Sequence, residues 1–197
     1  MQNSAEQIVD QILVMDAQSG RREAFEMLVC RWQKRLWWHA YHLTCQSEAA
    51  WDITQESWLG IVRGLARLKD PAKFGSWAYR IVSNKARDWL CRNGRGTPLE
   101  GESEDLPSSG TEQEQRETAK DVNGILRRLP HRSQVVLKLY YLEGFGLAEI
   151  AEILGAPEGT VKSRLHTARA EFRKCWESLG GMPHAPIPAP GKERQNE

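Results

Sequence analysis

Apolar residues recur along the chain at helical spacing. The clearest case lies near its end, where Leu147, Ile150, Ala151 and Leu154 fall at i, i+3, i+4 and i+7. Gly146 stands at the N-cap position, and Glu149, three residues on, can bring its carboxylate to the free amides of the first turn. Gly155 suits a left-handed C-cap, and Pro157 suits the first position of a second helix. In that second helix Val161, Leu165, Ala168 and Phe172 share one face. Lys162, His166, Arg169 and Arg173 lie on another, with Ser163 and Thr167 beside them. Two short helices meeting at a glycine-containing turn, the second with a basic polar face, predict a helix-turn-helix DNA reader. The plainer alternative is an amphipathic pair with a solvated basic face.

Upstream, Ser4 with Gln7 reads as a capping box, followed by a short helix with Ile8, Ile12, Leu13 and Met15. Gln18-Ser19-Gly20 breaks it. A long helix is predicted from about Glu23 to Leu43, with Phe25, Leu28, Val29, Trp32, Leu36 and Leu43 as its buried stripe. Ser47 can cap a third helix, running to about Leu68. After the Asp70-Pro71 turn, a fourth runs from about Lys73 to Cys91 with Phe74, Trp77, Ala78, Ile81, Val82, Trp89 and Leu90. Sustained period-2 alternation is missing. The expected fold is therefore all-α: a four-helix bundle over 1–94, then a helix-turn-helix module over 119–179. Tryptophans 32, 37, 38, 51, 58, 77 and 89 all fall in the first module, most of them expected in its core, since a large aromatic buries up to roughly 250 Å².

Residues 95–118 change character to glycine, proline, serine and carboxylates, which predicts a flexible acidic linker. Helical pattern returns with Val122, Ile125, Leu126 and Leu129, stops at Pro130, and resumes through Val135, Val136, Leu139 and Tyr140. Residues 180–197 are proline-rich and expected to be disordered.

The 197 residues carry a formal net charge of +1, so distribution matters more than the sum. Arg63, Arg67, Lys69, Lys73, Arg80, Lys85, Arg87, Arg92 and Arg95 oppose only Asp70 and Asp88, which suits an anionic partner. Cys30, Cys45, Cys91 and Cys175 form no CxxC pair, so no zinc ribbon or redox pair is written in the chain. His39, His42 and Cys45 share a helix, but i+6 is rotated far from i and a fourth ligand is not evident, so packing or partner contact is the expected role. Neither a P-loop nor a nucleophile elbow is found, so catalytic residues, a metal and a cofactor are not expected. Signal peptide and apolar span are also missing, which predicts a cytoplasmic protein with reduced thiols.

Three passages, in this order, resemble the bacterial sigma-70 family of RNA polymerase sigma factors, and within it the two-domain extracytoplasmic-function (ECF) type. They are residues 52–59, DITQESWL; residues 74–90, FGSWAYRIVSNKARDWL; and the stretch from Leu147 to Arg169 with Glu149-Ile150-Ala151 and Gly159 to Leu165. They are similar to regions 2.2, 2.3–2.4 and 4.2. The resemblance implies that Asp52, Gln55, Glu56 and Leu59 dock on core RNA polymerase; spacing puts them on one helical face, opposite Ile53, Ile61 and Leu65. It implies that Lys73, Tyr79, Arg80, Asn84, Lys85 and Arg87 contact the −10 element of promoter DNA, with Phe74 and Trp77 among them. The chemistry is apt. Opening duplex DNA costs about 1.4 kcal/mol per base step, and aromatic stacking returns roughly 1–3 kcal/mol per freed base. The core is the competing place for Phe74 and Trp77.

For the −35 element the resemblance implies a set drawn from Thr160, Lys162, Ser163, Arg164, His166, Thr167 and Arg169. Lys162, Ser163, His166 and Thr167 are the base readers, and Arg164 and Arg169 the phosphate clamps. His166 and Thr167 depart from residues common in the family, so the preferred −35 sequence does not carry over. An anti-sigma protein joins the candidate partners, and the acidic linker becomes a candidate nucleic-acid mimic. The competing function is an autonomous helix-turn-helix regulator binding a palindrome as a dimer.

Overall fold

The computed structural model describes residues 4–94 and 122–179, and every regular element in them is helical. Helices α1 (Ser4–Gln18), α2 (Arg22–Thr44), α3 (Ser47–Leu65) and α4 (Phe74–Arg92) form the first group, with a 3₁₀ turn, Pro71–Lys73, before α4. Helices α5 (Val122–Leu126), α6 (His131–Leu137), α7 (Leu147–Leu154) and α8 (Glu158–Ser178) form the second. A π-turn, Lys138–Leu142, extends α6. The linker and tail assignments lie outside the described residues.

The first core is built from Leu28, Trp32, Leu36, Ile53, Ile61, Leu65, Phe74, Ala78 and Val82. Each large apolar side chain so buried contributes about 1.5–3 kcal/mol. Aromatic edges lock the layers: Trp32 meets Phe74 at 5.3 Å and Phe25 meets Trp58 at 5.8 Å, both edge-to-face. In the second group Ile125, Leu129, Val135, Val136 and Leu139 support Ile150, Ile153, Leu154, Val161, Leu165 and Ala168.

Local caps follow the sequence closely around α7. The Gly146 amide donates to Glu149 Oε2 at 3.0 Å, and Gly155 closes the helix at φ 61°. Elsewhere the detail differs. Pro157 is the N-cap of α8 rather than its first residue, its extended ψ of 143° leaving the carbonyl to accept from Thr160 and Val161. Gln46, in extended conformation, precedes α3 in place of Ser47, and α3 ends at Leu65, three residues early. On α1 the inward face carries Asp10, Leu13 and Val14, while Ile8, Ile12 and Met15 are exposed. Asp10 can go inward because Arg31 Nε donates to its carboxylate at 2.7 Å. Of the tryptophans in this group, Trp32 and Trp58 are buried, Trp37, Trp77 and Trp89 are half-buried and pack against the core, and Trp51 is exposed. The Ser4–Gln7 capping box rests on a side chain outside the described set.

The two groups pack against each other. Phe145 reaches into the first group and meets the Tyr79 ring edge-on at 5.6 Å. Gly75 makes room for it: a Cβ there would stand 2.7 Å from the Trp32 ring and 3.4 Å from the Phe145 ring. Glu143, buried, forms an ion pair with Arg35, whose guanidinium lies over the Trp32 ring at 3.8 Å. Burial works against the Arg35 charge, yet the Glu143 carboxylate more than offsets it and leaves the guanidinium held above its ordinary value. Farther along α2, His42 Nδ1 stands 2.7 Å from His131 Nδ1 of α6.

Candidate polymerase and promoter surfaces

Helix α3 presents two faces. Ile53, Thr54, Ser57, Trp58, Ile61 and Leu65 are buried, and the Thr54 and Ser57 hydroxyls are absorbed by the helix's own carbonyls, Ala50 at 2.7 Å and Ile53 at 2.6 Å. Asp52, Gln55, Glu56 and Leu59 all lie on the exposed side, as their spacing predicts. Trp51 and Val62, which the sequence reading left out, extend the strip: with Leu59 they are 44–58% exposed. An apolar row flanked by carboxylates and an amide suits a protein partner. Its signal was the i, i+4, i+8, i+11 spacing of 51, 55, 59 and 62.

Helix α4 runs beside α3, and Asp70 Oδ1 caps the turn before it by accepting from the Ala72 amide at 3.0 Å. Lys73, Arg80 and Asn84 are exposed, and Lys85 and Arg87 half-buried. Several of these cations are already engaged. Lys85 Nζ lies 2.9 Å from Glu56 Oε2, tying the two candidate surfaces together and holding the Glu56 carboxyl below its ordinary value. Arg80 faces Glu152 of α7 at 3.6 Å. Arg87 donates to Asn84 Oδ1 at 3.3 Å and to the Leu154 carbonyl of α7 at 2.8 Å. The last carbonyls of a helix lack partners within it, so a guanidinium there both caps α7 and joins the two groups.

Tyr79 does not stand with them. It is 1% exposed, enclosed by Trp32, His39 and Phe145, and burial first, then Glu143, pushes its phenol well up. Placing Tyr79 at a DNA surface is corrected by this burial: an aromatic at that register faces α2, because Ala78, Tyr79 and Val82 form the inward stripe. Phe74 is likewise core, and Trp77 is half-buried against Gly64.

On α8, Lys162, Ser163, His166 and Thr167 are exposed on one side, while Val161, Leu165 and Ala168 seat the helix on its platform. Thr160 and Arg164 are half-buried beside them. Ser163 Oγ donates to the Thr160 carbonyl at 2.9 Å. Arg169 turns inward: its guanidinium lies 5.2 Å from the Tyr140 ring and 5.5 Å from the Tyr141 ring. His39 faces Ser83 at 2.8 Å, and burial pushes it down to about 3, so it is a neutral core residue. Among the described residues, His, Cys, Asp and Glu make no cluster able to hold a metal ion, and no helix is long and apolar enough to cross a membrane.

Two family models match this chain in the order of its helical groups. Sigma-70 region 2 matches residues 28–96, and sigma-70 region 4 matches residues 120–172. The chain belongs to the sigma-70 family. Its relatives place it in the ECF branch. The ECF RNA polymerase sigma-E factor of Haemophilus influenzae is 30% identical over 178 residues, covering 84% of this chain and 94% of that one. The probable RNA polymerase sigma factor RfaY of Xanthomonas campestris is 36% identical over 166 residues, 80% of this chain but only 41% of that protein's length. Among solved structures, CnrH in complex with the cytosolic domain of CnrY is 27% identical, with a TM-score of 0.55 over 86% of this chain and 98% of that one. The RpoE factor of Bartonella quintana, bound to the anti-sigma factor NepR, shares the fold at 17% identity and a TM-score of 0.54, over 78% of this chain and 96% of that one.

This sigma factor therefore carries region 2 on α2–α4 and region 4 on α5–α8. What sequence reasoning missed is the contact between them. Arg35 and Glu143 are 108 residues apart, and His42 and His131 are 89 apart. Neither pairing has a local signal. The only hint was a carboxylate, Glu143, following the apolar run that ends α6 and its π-turn.

Proposed function

We propose that this sigma factor docks on core RNA polymerase through the α3 strip Trp51, Asp52, Gln55, Glu56, Leu59 and Val62, and directs initiation at promoters by gripping two DNA elements. Arg80, Asn84, Lys85 and Arg87 of α4, with Lys73 before it, hold the −10 element as it melts. Lys162, Ser163, His166 and Thr167 of α8 read −35 base edges in the major groove, with Arg164 at the phosphates. Arg169 acts from inside by fixing α8 on Tyr140 and Tyr141. The observation that carries this reading is the exposed, mixed acidic and apolar face of α3 lying beside the cationic α4 within a region 2 match. The factor works in the cytoplasm and has no catalysis of its own; chemistry belongs to the polymerase. The working division is 1–94 for polymerase and −10 binding, 95–118 as linker, 119–179 for −35 binding and 180–197 as tail. An anti-sigma protein is the expected negative partner. Arg87 must leave the Leu154 carbonyl before it can meet DNA, so the groups separate on binding. The test is run-off transcription with purified core polymerase on fragments of the host genome. Transcripts with defined starts that depend on the factor support the proposal. Specific binding of a palindrome by the factor alone, without transcription, overturns it.

A further inference from the structure

The His42–His131 contact is placed where the two groups meet, and it works in only some protonation states. We propose that it is an acid-released latch that keeps region 4 folded over region 2 while both imidazoles are neutral. The two Nδ1 atoms face each other at 2.7 Å, so one must carry a hydrogen and the other must accept it. Once both rings are cations, both Nδ1 atoms are donors and the bond is lost, with two positive charges in contact. The rings are buried, 7% exposed for His42 and 9% for His131, and their centroids are 4.8 Å apart. Trp38 covers His42 at 3.8 Å, and Tyr41 meets both rings edge-on.

The charged surroundings favour neutrality. Lys138 Nζ sits over the Trp38 ring at 3.5 Å; burial pushes it down only to about 8, so it is a cation at pH 7. Arg35 and Lys34 oppose the Lys138 charge and Glu143 supports it, but Glu143 is already paired with Arg35. Glu171 of α8 is taken by the Ser133 hydroxyl at 2.6 Å. His39, on the same helix as His42, is held by Ser83, with the Tyr79 phenol beyond it. His131 is the first residue of α6, where the helix's positive end disfavours a cation. Desolvation, then His131, Lys138 and His39, all act on His42 in one direction and bring it to about 3.

A solvated histidine in the opened chain titrates near 6.5. The closed state binds fewer protons, so it keeps its full advantage above that pH and loses it as pH falls from about 6.5 towards 3. Below about pH 6 each proton taken up on opening changes the open-to-closed ratio about tenfold per pH unit, which amounts to about 30-fold between pH 8 and 5. Opening frees Arg87 and Arg80 from α7. As regulation of the promoter surface the latch rests on the proposed function; as a switch of shape it does not.

The experiment places fluorescent donor and acceptor dyes on Cys30 and Cys175 of the full chain, with Cys45→Ser and Cys91→Ser, and reads transfer from pH 8 to 5 beside far-UV circular dichroism. The expected result is a closed population at pH 8, an open-to-closed ratio rising at least 30-fold by pH 5, and constant helicity. In a His42→Gln/His131→Gln double variant the ratio should stay flat, whichever state dominates. An unchanging wild-type distance, a double variant that keeps the wild-type rise, or helicity lost together with transfer each overturns the latch. None of these outcomes depends on promoter DNA.

Discussion

The Arg35–Glu143 pair offers a quantitative test of how the two groups are held. Glu143→Gln removes one charge and leaves Arg35 half-buried, its side chain 23% exposed, beside the Lys138 cation. Breaking a buried pair from one side costs roughly 3–5 kcal/mol, because the surviving charge keeps its desolvation penalty. The expected loss is near the low end, about 3 kcal/mol, since Arg35 retains the face of Trp32 at 3.8 Å. Replacing both residues by apolar ones of similar volume, Arg35→Met with Glu143→Leu, removes the penalty along with the attraction and should stay within about 1 kcal/mol of wild type. The assay is urea unfolding of the full chain followed by far-UV circular dichroism, run for wild type, Glu143→Gln and the double variant, with slopes compared. Equal losses in the single and double variants would refute the reasoning, because the cost would then come from lost shape and not from a guanidinium deprived of its carboxylate.

Other consequences can be checked separately. Gly155→Ala should destabilise by about 1–2 kcal/mol, since φ is 61° and an added Cβ would fall 2.3 Å from Arg87 Nη2; an unchanged thermal midpoint would contradict the C-cap assignment. Alanine at Gln55 and Glu56 together should weaken core polymerase binding at least tenfold in a competition assay while helicity holds, because both side chains are exposed; unchanged affinity would remove them from the docking face. Substituting His166 or Ser163 should shift which −35 base is preferred in a randomised promoter library, whereas equal loss on every sequence would assign them to phosphates.

Features fixed by near neighbours were legible in the chain. Gly146, Glu149 and Gly155 bound α7 through contacts within a few residues, and the two faces of α3 follow from periodicity alone. Features fixed by distant partners were not. Periodicity gives Ile8, Ile12 and Met15 a common face but cannot show that Asp10, matched by Arg31, turns the other face inward. Tyr79 reads as a base-stacking aromatic until Trp32, His39 and Phe145 surround it. Arg169 reads as a phosphate clamp until the Tyr140 and Tyr141 rings, one helix away, claim its guanidinium. Charge pattern shows the run of cations that includes Arg80 and Arg87, but their engagement by α7 needs the tertiary fold.

The division of labour between α4 and α8 can be read on DNA itself. Permanganate footprinting of a start site with core polymerase and the full factor reports unpaired thymines, and nuclease protection reports the duplex contacts. The expected pattern is unpaired thymines in the −10 region that disappear with Asn84→Ala and Arg87→Ala together, while protection at the −35 region survives. Unpaired thymines that persist in that double variant, or duplex protection with no unpaired bases in the wild type, would contradict it.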